Sequence, residues 1–470
     1  MKMVKSLLLA SAAGLVAIAG AQAADLPVKA KAVEYVKVCS LYGAGFYYIP
    51  GTDVCLKVGG HVRADVGYNG GSSLTLGPFA SGWNNRAADN PWVQRNLFFA
   101  SFDARSQTAY GTARAYFAVG QLADTPAGIF NSAYNYRGFI QWAGFTFGQA
   151  QSFFDFYSAA AYQYDYRIAN DTVPSGARLV AYTAQFGGGF SATLSLEEPR
   201  RTTITNAVQS GSGVATALPT LFGGNYVAIR WPDVVGVLRI DQPWGSAQVM
   251  GAVHDASVSY LGALTGTGAA NGVLGQATAD AIGWAVGAGV KINVPSLGAG
   301  DSISVQGVYA VGATRYASNL LQYNPFSMNP NNGTMAYGVT TDGVQSATGI
   351  NLTTAWSVHA AFEHFWRPDL KTSLWVNYVA LDYGAAANAQ LAGVNNDWSM
   401  WVVGSRTQWD VSKQLSLGAE VSYGSIKTAC GTGCVYGITT AGNGVPVSLW
   451  GVADQGEWSF RFRAMYNFLP

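Results

Sequence analysis

The stretch Trp458-Ser459-Phe460-Arg461-Phe462-Arg463-Ala464-Met465-Tyr466-Asn467-Phe468 alternates, residue by residue, between two kinds of side chain. Side chains on a β-strand point to opposite faces in turn. Trp458, Phe460, Phe462, Ala464, Tyr466 and Phe468 therefore share one face, and Ser459, Arg461, Arg463, Met465 and Asn467 share the other. The segment before it repeats the pattern, with Leu415, Leu417, Ala419, Val421 and Tyr423 opposite Gln414, Ser416, Gly418, Glu420 and Ser422. Further upstream, Ile282, Trp284, Val286, Ala288, Val290 and Ile292 face away from Gly283, Ala285, Gly287, Gly289, Lys291 and Asn293. Helical periodicity is absent from these segments, and the second face, small or polar throughout, does not suit a packed core.

Composition agrees with strands that are dry on one side. Of 470 residues, 49% are hydrophobic and 13% aromatic, but only 11% are charged, well under the usual quarter of a soluble protein. A polytopic helical membrane protein needs repeated apolar runs of roughly 18 residues or more, and the only stretch near that length lies at the N-terminus. Lys and Arg total 27 against 26 Asp and Glu, a formal net charge of +1, so nucleic acid is not an expected partner. Residues 1–23 read as a signal peptide: Lys2 and Lys5 precede an apolar run from Leu7 to Ala19, and Ala21-Gln22-Ala23 is the small-residue pattern of a cleavage site. In an exported chain, the close pairs Cys39 with Cys55 and Cys430 with Cys434 are expected to form local disulfides, with free thiols as the alternative.

A β-sandwich also alternates, but it keeps its apolar face inside and rarely carries Trp and Tyr regularly at strand ends. Trp92, Tyr110, Tyr116, Tyr309, Trp356, Trp366, Tyr378 and Trp398 lie within or beside alternating stretches, as aromatic girdles at two bilayer interfaces would. Connections alternate in length as well. Short turns are expected at Asp103 to Gln107, Ala143-Gly144, Gly187 to Gly189, Gln242 to Trp244, Pro295 to Gly300, Arg367 to Asp369 and Asp410 to Lys413. Long Gly-, Ser-, Thr- and Asn-rich stretches fall at roughly 69–91, 121–135, 151–177, 200–225, 256–280, 313–352, 383–397 and 426–456. Eight long loops and seven short turns imply an all-β transmembrane antiparallel barrel of about sixteen strands, wide enough for an aqueous channel. The expected organisation is a barrel over 55–470 preceded by a segment, 24–54, that a Cys39–Cys55 bridge would close.

The chain resembles the porins of alpha-proteobacteria, especially of rhizobial relatives, across essentially the whole mature sequence. The likeness rests on Ala24-Asp25-Leu26-Pro27, the Cys39 to Cys55 segment leading into Leu56-Lys57-Val58-Gly59-Gly60, and Gly144-Phe145-Thr146-Phe147-Gly148 followed by Ser152-Phe153-Phe154-Asp155-Phe156. Pro232-Asp233-Val234-Val235, Asp241-Gln242-Pro243-Trp244-Gly245-Ser246-Ala247-Gln248 and Ala288-Gly289-Val290-Lys291-Ile292-Asn293 extend it. The resemblance implies a homotrimer in the outer membrane, inserted by the barrel-assembly machinery into a bilayer with lipopolysaccharide. It also implies passive diffusion of small hydrophilic solutes and ions, and a third external loop folded inward. A solute-specific channel is the alternative, followed by a barrel with an enzymatic role and a soluble β-sandwich or adhesin.

If apolar residues face lipid, the first strand places Lys57, His61, Arg63 and Asp65 in the lumen. The next two add Arg95, Asp103, Arg105 and Arg114, and Arg137 extends this basic wall at the start of the fourth. By resemblance the constriction loop is the stretch 151–177, whose Asp155, Asp165 and Asp171, with Arg167 among them, would form an acidic surface across the gap. The alternative is that these charges are merely solvated, or pair with one another to hold the loop.

Other chemistry finds little support. The sequence has no G-x-S-x-G elbow and no phosphate-binding G-x-x-x-x-G-K-[ST]. His359, Glu363 and His364 resemble a zinc motif, but positions 359 and 364 have opposite parity on a strand. Gly266, Gly268 and Gly272 miss the dinucleotide fingerprint by one residue. No cofactor or metal is expected, and no enzymatic activity.

Overall fold

A computed structural model describes residues 37–68, 92–124, 132–165, 168–206, 228–258, 279–319, 326–328, 334–346, 349–390, 395–430, 435–439 and 446–469. The signal segment, the long loop at 69–91, Arg167, Cys434 and the Gly266 to Gly272 stretch lie outside the described residues. The chain divides after Cys55. In the first unit a Cys39–Cys55 disulfide of 1.99 Å is buried with Phe46, and Tyr42 and Tyr48 pack against them.

The second unit is built on sixteen antiparallel strands: β1 Cys55–Tyr68, β2 Trp92–Thr108, β3 Gly111–Asp124, β4 Ser132–Trp142, β5 Phe145–Ala150, β6 Ala177–Gly187, β7 Phe190–Glu197, β8 Asp233–Gln242, β9 Gly245–Asp255, β10 Ile282–Asn293, β11 Ser302–Val311, β12 Thr354–Arg367, β13 Leu370–Asp382, β14 Trp398–Asp410, β15 Leu415–Lys427 and β16 Gln455–Leu469. Each pairs with the next, and β16 returns to β1 with Arg63 opposite Met465 and Asp65 opposite Arg463. Closure has a physical cause: in hydrocarbon, each backbone group of an open strand edge would lack a partner at a cost of several kcal/mol.

The alternating faces follow the expected parity. Phe460 and Phe462 are 51% and 49% exposed on the outer surface, whereas Arg461 and Arg463 are buried inside. Trp92, Tyr110, Tyr309, Trp356 and Trp366 stand exposed on the apolar side as expected. Two of the expected girdle residues do not. Trp398 is buried with its indole N–H donating to the Val339 carbonyl at 2.7 Å, and Tyr116 has the parity of the buried, inward-facing Ala118.

The tightest turns use backbone that permits them. Ala143 and Gly144 (φ 51° and 86°) and Gly188 and Gly189 (φ 57° and 75°) both sit in the left-handed region, which matches the twist of a two-residue hairpin. The turn expected at Asp103 to Gln107 is a correction, because those residues lie within β2 and the chain reverses at Ala109-Tyr110. Asp103, Arg105 and Gln107 look like turn composition but are the polar alternate of a strand facing water. The long connections also hold structure of their own. Ile204–Asn206 pairs with Gly343–Ser346, which pairs with Gly349–Leu352, and a four-stranded sheet joins Phe326–Met328, Thr334–Gly338, Pro446–Val452 and Val435–Thr439.

Candidate functional site

The connection from β5 to β6, described over residues 151–165 and 168–176, crosses the barrel interior. Near its start, the Phe153 N–H donates to Glu197 of β7 at 3.0 Å, and Gln248 of β9 donates to the Phe153 carbonyl at 3.1 Å. Further along, the Tyr157 N–H donates to Gln306 of β11 at 2.5 Å, Asn377 of β13 donates to Gln163 at 3.3 Å, and Arg406 of β14 reaches the Ala160 carbonyl at 3.4 Å. At the far end the Tyr164 N–H donates to Glu420 of β15 at 2.6 Å, and Arg461 of β16 donates to the Tyr164 carbonyl. The wall is hollowed to receive the loop. A Cβ on Gly289 would lie 2.3 Å from the Phe156 ring, and one on Gly418 would lie 2.1 Å from the Tyr164 hydroxyl oxygen.

This docking turns the three loop acids away from the passage. Asp155, Asp165 and Asp171 are 8%, 1% and 3% exposed. Asp155 pairs with Arg200 at 2.8 Å and accepts the Thr172 N–H at 2.7 Å; Asp165 accepts the Ser422 hydroxyl at 3.0 Å. Asp171 accepts the Ala159 N–H at 3.0 Å, and burial together with the nearby Asp155 carboxylate pushes its carboxyl up to about 8. Instead of an acidic surface bared across the gap, they form the joints that hold the loop.

On β1 to β4 the cations face inward but do not form a single ring. Arg105 and Arg114 are brought together on one carboxylate, Asp103, at 2.8 Å and 3.0 Å, and Arg114 also donates to Gln141 at 2.9 Å. Both guanidiniums are partly exposed. Arg137 lies opposite Ala118 and donates to the Pro174 carbonyl of the loop at 3.2 Å. A register shift beside it leaves Tyr136 as an extra residue opposite Ala118 and Val119, which is why its parity is weak in the sequence. Arg63 belongs to a separate cluster, pairing at 2.8 Å with the buried Asp65, which also binds Arg463 at 2.6 Å. Arg95 is buried opposite the backbone of Asp124, at the other end of β2 from Arg105. Lys57 is partly exposed on the inner face of β1, and His61 stacks on Phe99 at 4.9 Å.

Several residues of the docking wall carry roles that parity alone does not reveal. Glu363 accepts from Arg406 at 3.2 Å and Lys371 at 3.1 Å, and Arg463 lies 4.0 Å from the centroid of the Tyr164 ring. Strand alternation places Glu420, Arg461 and Arg463 on the polar face, but nothing local marks their loop partners. His359 bonds to Asn377 at 3.0 Å and His364 to Asp301 at 2.6 Å, so the two histidines serve different neighbours. Cys430 is disulfide-bonded.

A family profile described as "Porin subfamily" matches residues 25–441. The chain is 34% identical to porin Omp2a of Brucella melitensis over 322 residues, covering 62% of this chain and 82% of that protein. It is also 34% identical to porin Omp2b of Brucella neotomae, over 61% of this chain and 80% of the relative. Among solved structures, the outer membrane channel DcaP of Acinetobacter baumannii superposes with a TM-score of 0.59 at 15% identity, covering 90% of this chain and 99% of that one.

Proposed function

This chain belongs to the porin subfamily and is a multi-pass outer-membrane β-barrel diffusion channel, and we propose that its constriction is the gap between the inward loop and the cationic wall of β1 to β4. One observation carries this reading: residues 153–165 are hydrogen-bonded to strands from β7 round to β16, which leaves Arg105 and Arg114 partly exposed where β2 and β3 face the interior. Guanidiniums beside a water-filled gap order water and favour hydrated, polar solutes over apolar ones. Asp103 holds both guanidiniums in place without cancelling them, since one carboxylate faces two cations.

Arg63, Arg95, Arg137, Lys57 and His61 act in this reading as inner-wall charge and polarity above and beside the constriction. Asp155, Asp165 and Asp171 act by fixing the loop. Passage is passive, and the chain catalyses no reaction. The family reading further supports a homotrimer with one passage per subunit, assembled in a bilayer with lipopolysaccharide by the barrel-assembly machinery.

Planar-bilayer recording of the purified protein in asymmetric KCl tests this. Large ohmic steps that close in thirds are expected, with a reversal potential on the anion-preferring side. Folded protein without conductance would overturn the reading.

A further inference from the structure

The inner face of β1 to β4 departs from the rest of the lumen in one respect. Elsewhere the inward positions of the strands are small or polar, as with Ser191, Thr193 and Ser195 of β7 or Ser302, Ser304 and Gln306 of β11, or carry apolar side chains that are buried, as with Met250 of β9 and Trp375 of β13. Here aromatic rings alternate with cations. His61 stacks on Phe99 at 4.9 Å, and Phe99 meets Tyr136 edge-on at 5.0 Å. Two residues further along each strand, Ser101, Ala118 and Arg137 share a rung by register. The next rung carries Asp103, Tyr116 and Phe139, the two rings stacked at 5.1 Å. The last carries Arg105, Arg114 and Gln141, and the Arg114 guanidinium stands 5.2 Å from the centroids of both Tyr116 and Phe139.

Successive rungs lie about 7 Å apart along a strand. The ladder therefore runs aromatic, cationic, aromatic, cationic over about 20 Å. Phe99, Tyr116, Phe139 and Arg137 are all partly exposed. Unlike the buried Met250 and Trp375, these rings keep apolar surface in contact with water, so the feature calls for an occupant.

We propose that this wall is a binding track for small aromatic carboxylates. A planar ring stacks on Tyr116 and Phe139, and its carboxylate takes the guanidinium of the neighbouring rung, Arg137 on one side or Arg114 on the other. The spacing lets the solute pass from one aromatic rung to the next without losing a cationic partner. Charge complementarity selects this class over sugars, which also stack on aromatic faces. Sugar hydroxyls need carboxylate or amide acceptors, whereas the Asp103 carboxylate of this wall is already held by two guanidiniums and the Gln141 amide oxygen already accepts from Arg114. Aliphatic acids satisfy the cations but leave the rings unused.

The proposal rests on the channel reading, and the test separates the two. Chloride current through the reconstituted protein is recorded at pH 7.5 while benzoate, acetate or benzamide is added. Benzoate is expected to reduce the current in a saturable way at concentrations where acetate and benzamide do not. Tyr116→Leu with Phe139→Leu keeps apolar bulk but removes the rings, and should raise the half-blocking benzoate concentration about fivefold or more. Arg114→Gln should raise it as well. Equal effects of benzoate and acetate in the unmodified protein would overturn the track, as would benzoate block that survives loss of both rings. Absence of KCl steps would instead overturn the channel.

Discussion

The Arg463 guanidinium of β16 lies 4.0 Å from the centroid of the Tyr164 ring at the far end of the inward loop. The same tyrosine donates its backbone N–H to Glu420 and rests its hydroxyl where a side chain on Gly418 would stand. Two neighbouring strands, β15 and β16, thus clamp one residue. Gly418→Val forces a Cβ to within 2.1 Å of the hydroxyl oxygen, an overpacking that costs about 1–3 kcal/mol of docking. The expected outcome is larger single-channel conductance with more open-state noise, while heat-modifiable gel migration shows the barrel intact. Quiet recordings of unchanged size would show that the loop does not limit the passage.

Charge reversal at the constriction should change selectivity. Arg114→Glu replaces one cation of the Asp103 cluster with an anion, a change of two unit charges at the gap. At about 8 Å in water, two units amount to about 1 kcal/mol, or about fivefold in the permeability of each ion at low salt, upward for the cation and downward for the anion. Screening at 0.1 M reduces this to about twofold. Reversal potentials in a KCl gradient at the two ionic strengths check both the sign and the salt dependence; no shift at either would remove Arg114 from the passage.

What was legible in the sequence was what repeats locally. Alternation is local and of fixed period, so the outward set Phe460, Phe462 and Tyr466 and the inward set Arg461 and Arg463 could be sorted without any knowledge of pairing. Loop lengths then set the number of strands. Three things escaped. The polar run Asp103 to Gln107 reads as a turn because lumen-facing strand residues and turn residues share a composition. Tyr116 and Phe139 are aromatic and face inward, against the rule that apolar residues face lipid. The loop's docking is invisible because Tyr164 and Glu420 are 256 positions apart, and the burial of Asp155, Asp165 and Asp171 follows from that docking.

The small N-terminal unit should respond to reduction by itself. A bridge between residues 16 apart stabilises its segment by about 3 kcal/mol through the loop it closes. Replacing both Cys39 and Cys55 with Ser is expected to open the segment from Tyr42 to Asp53 to proteolysis while fragments of the barrel stay protected. Mass spectrometry of limited digests locates the cuts. Equal resistance with and without the bridge would show that packing of Phe46 and Tyr42 suffices.

Asp171 should make the loop sensitive to alkaline pH. Its carboxyl titrates at about 8 in the folded protein, against about 3.9 in an unfolded chain. A raised folded value means that the packed loop binds the proton more tightly than the free chain does. The contribution is therefore fully present below about pH 4, declines as the pH rises, and is lost once the pH passes about 8. Above that point the ionised Asp171 adds a second charge beside Asp155 within a buried joint, with Arg200 paired to Asp155 at 2.8 Å. Open-state noise is expected to grow as the pH rises from 5 to about 8.5 and to level off above that. In Asp171→Asn the side-chain oxygen can still accept the Ala159 N–H but carries no charge, so noise should stay flat across the same range. A rise of equal size in the variant would assign the alkaline response to another group.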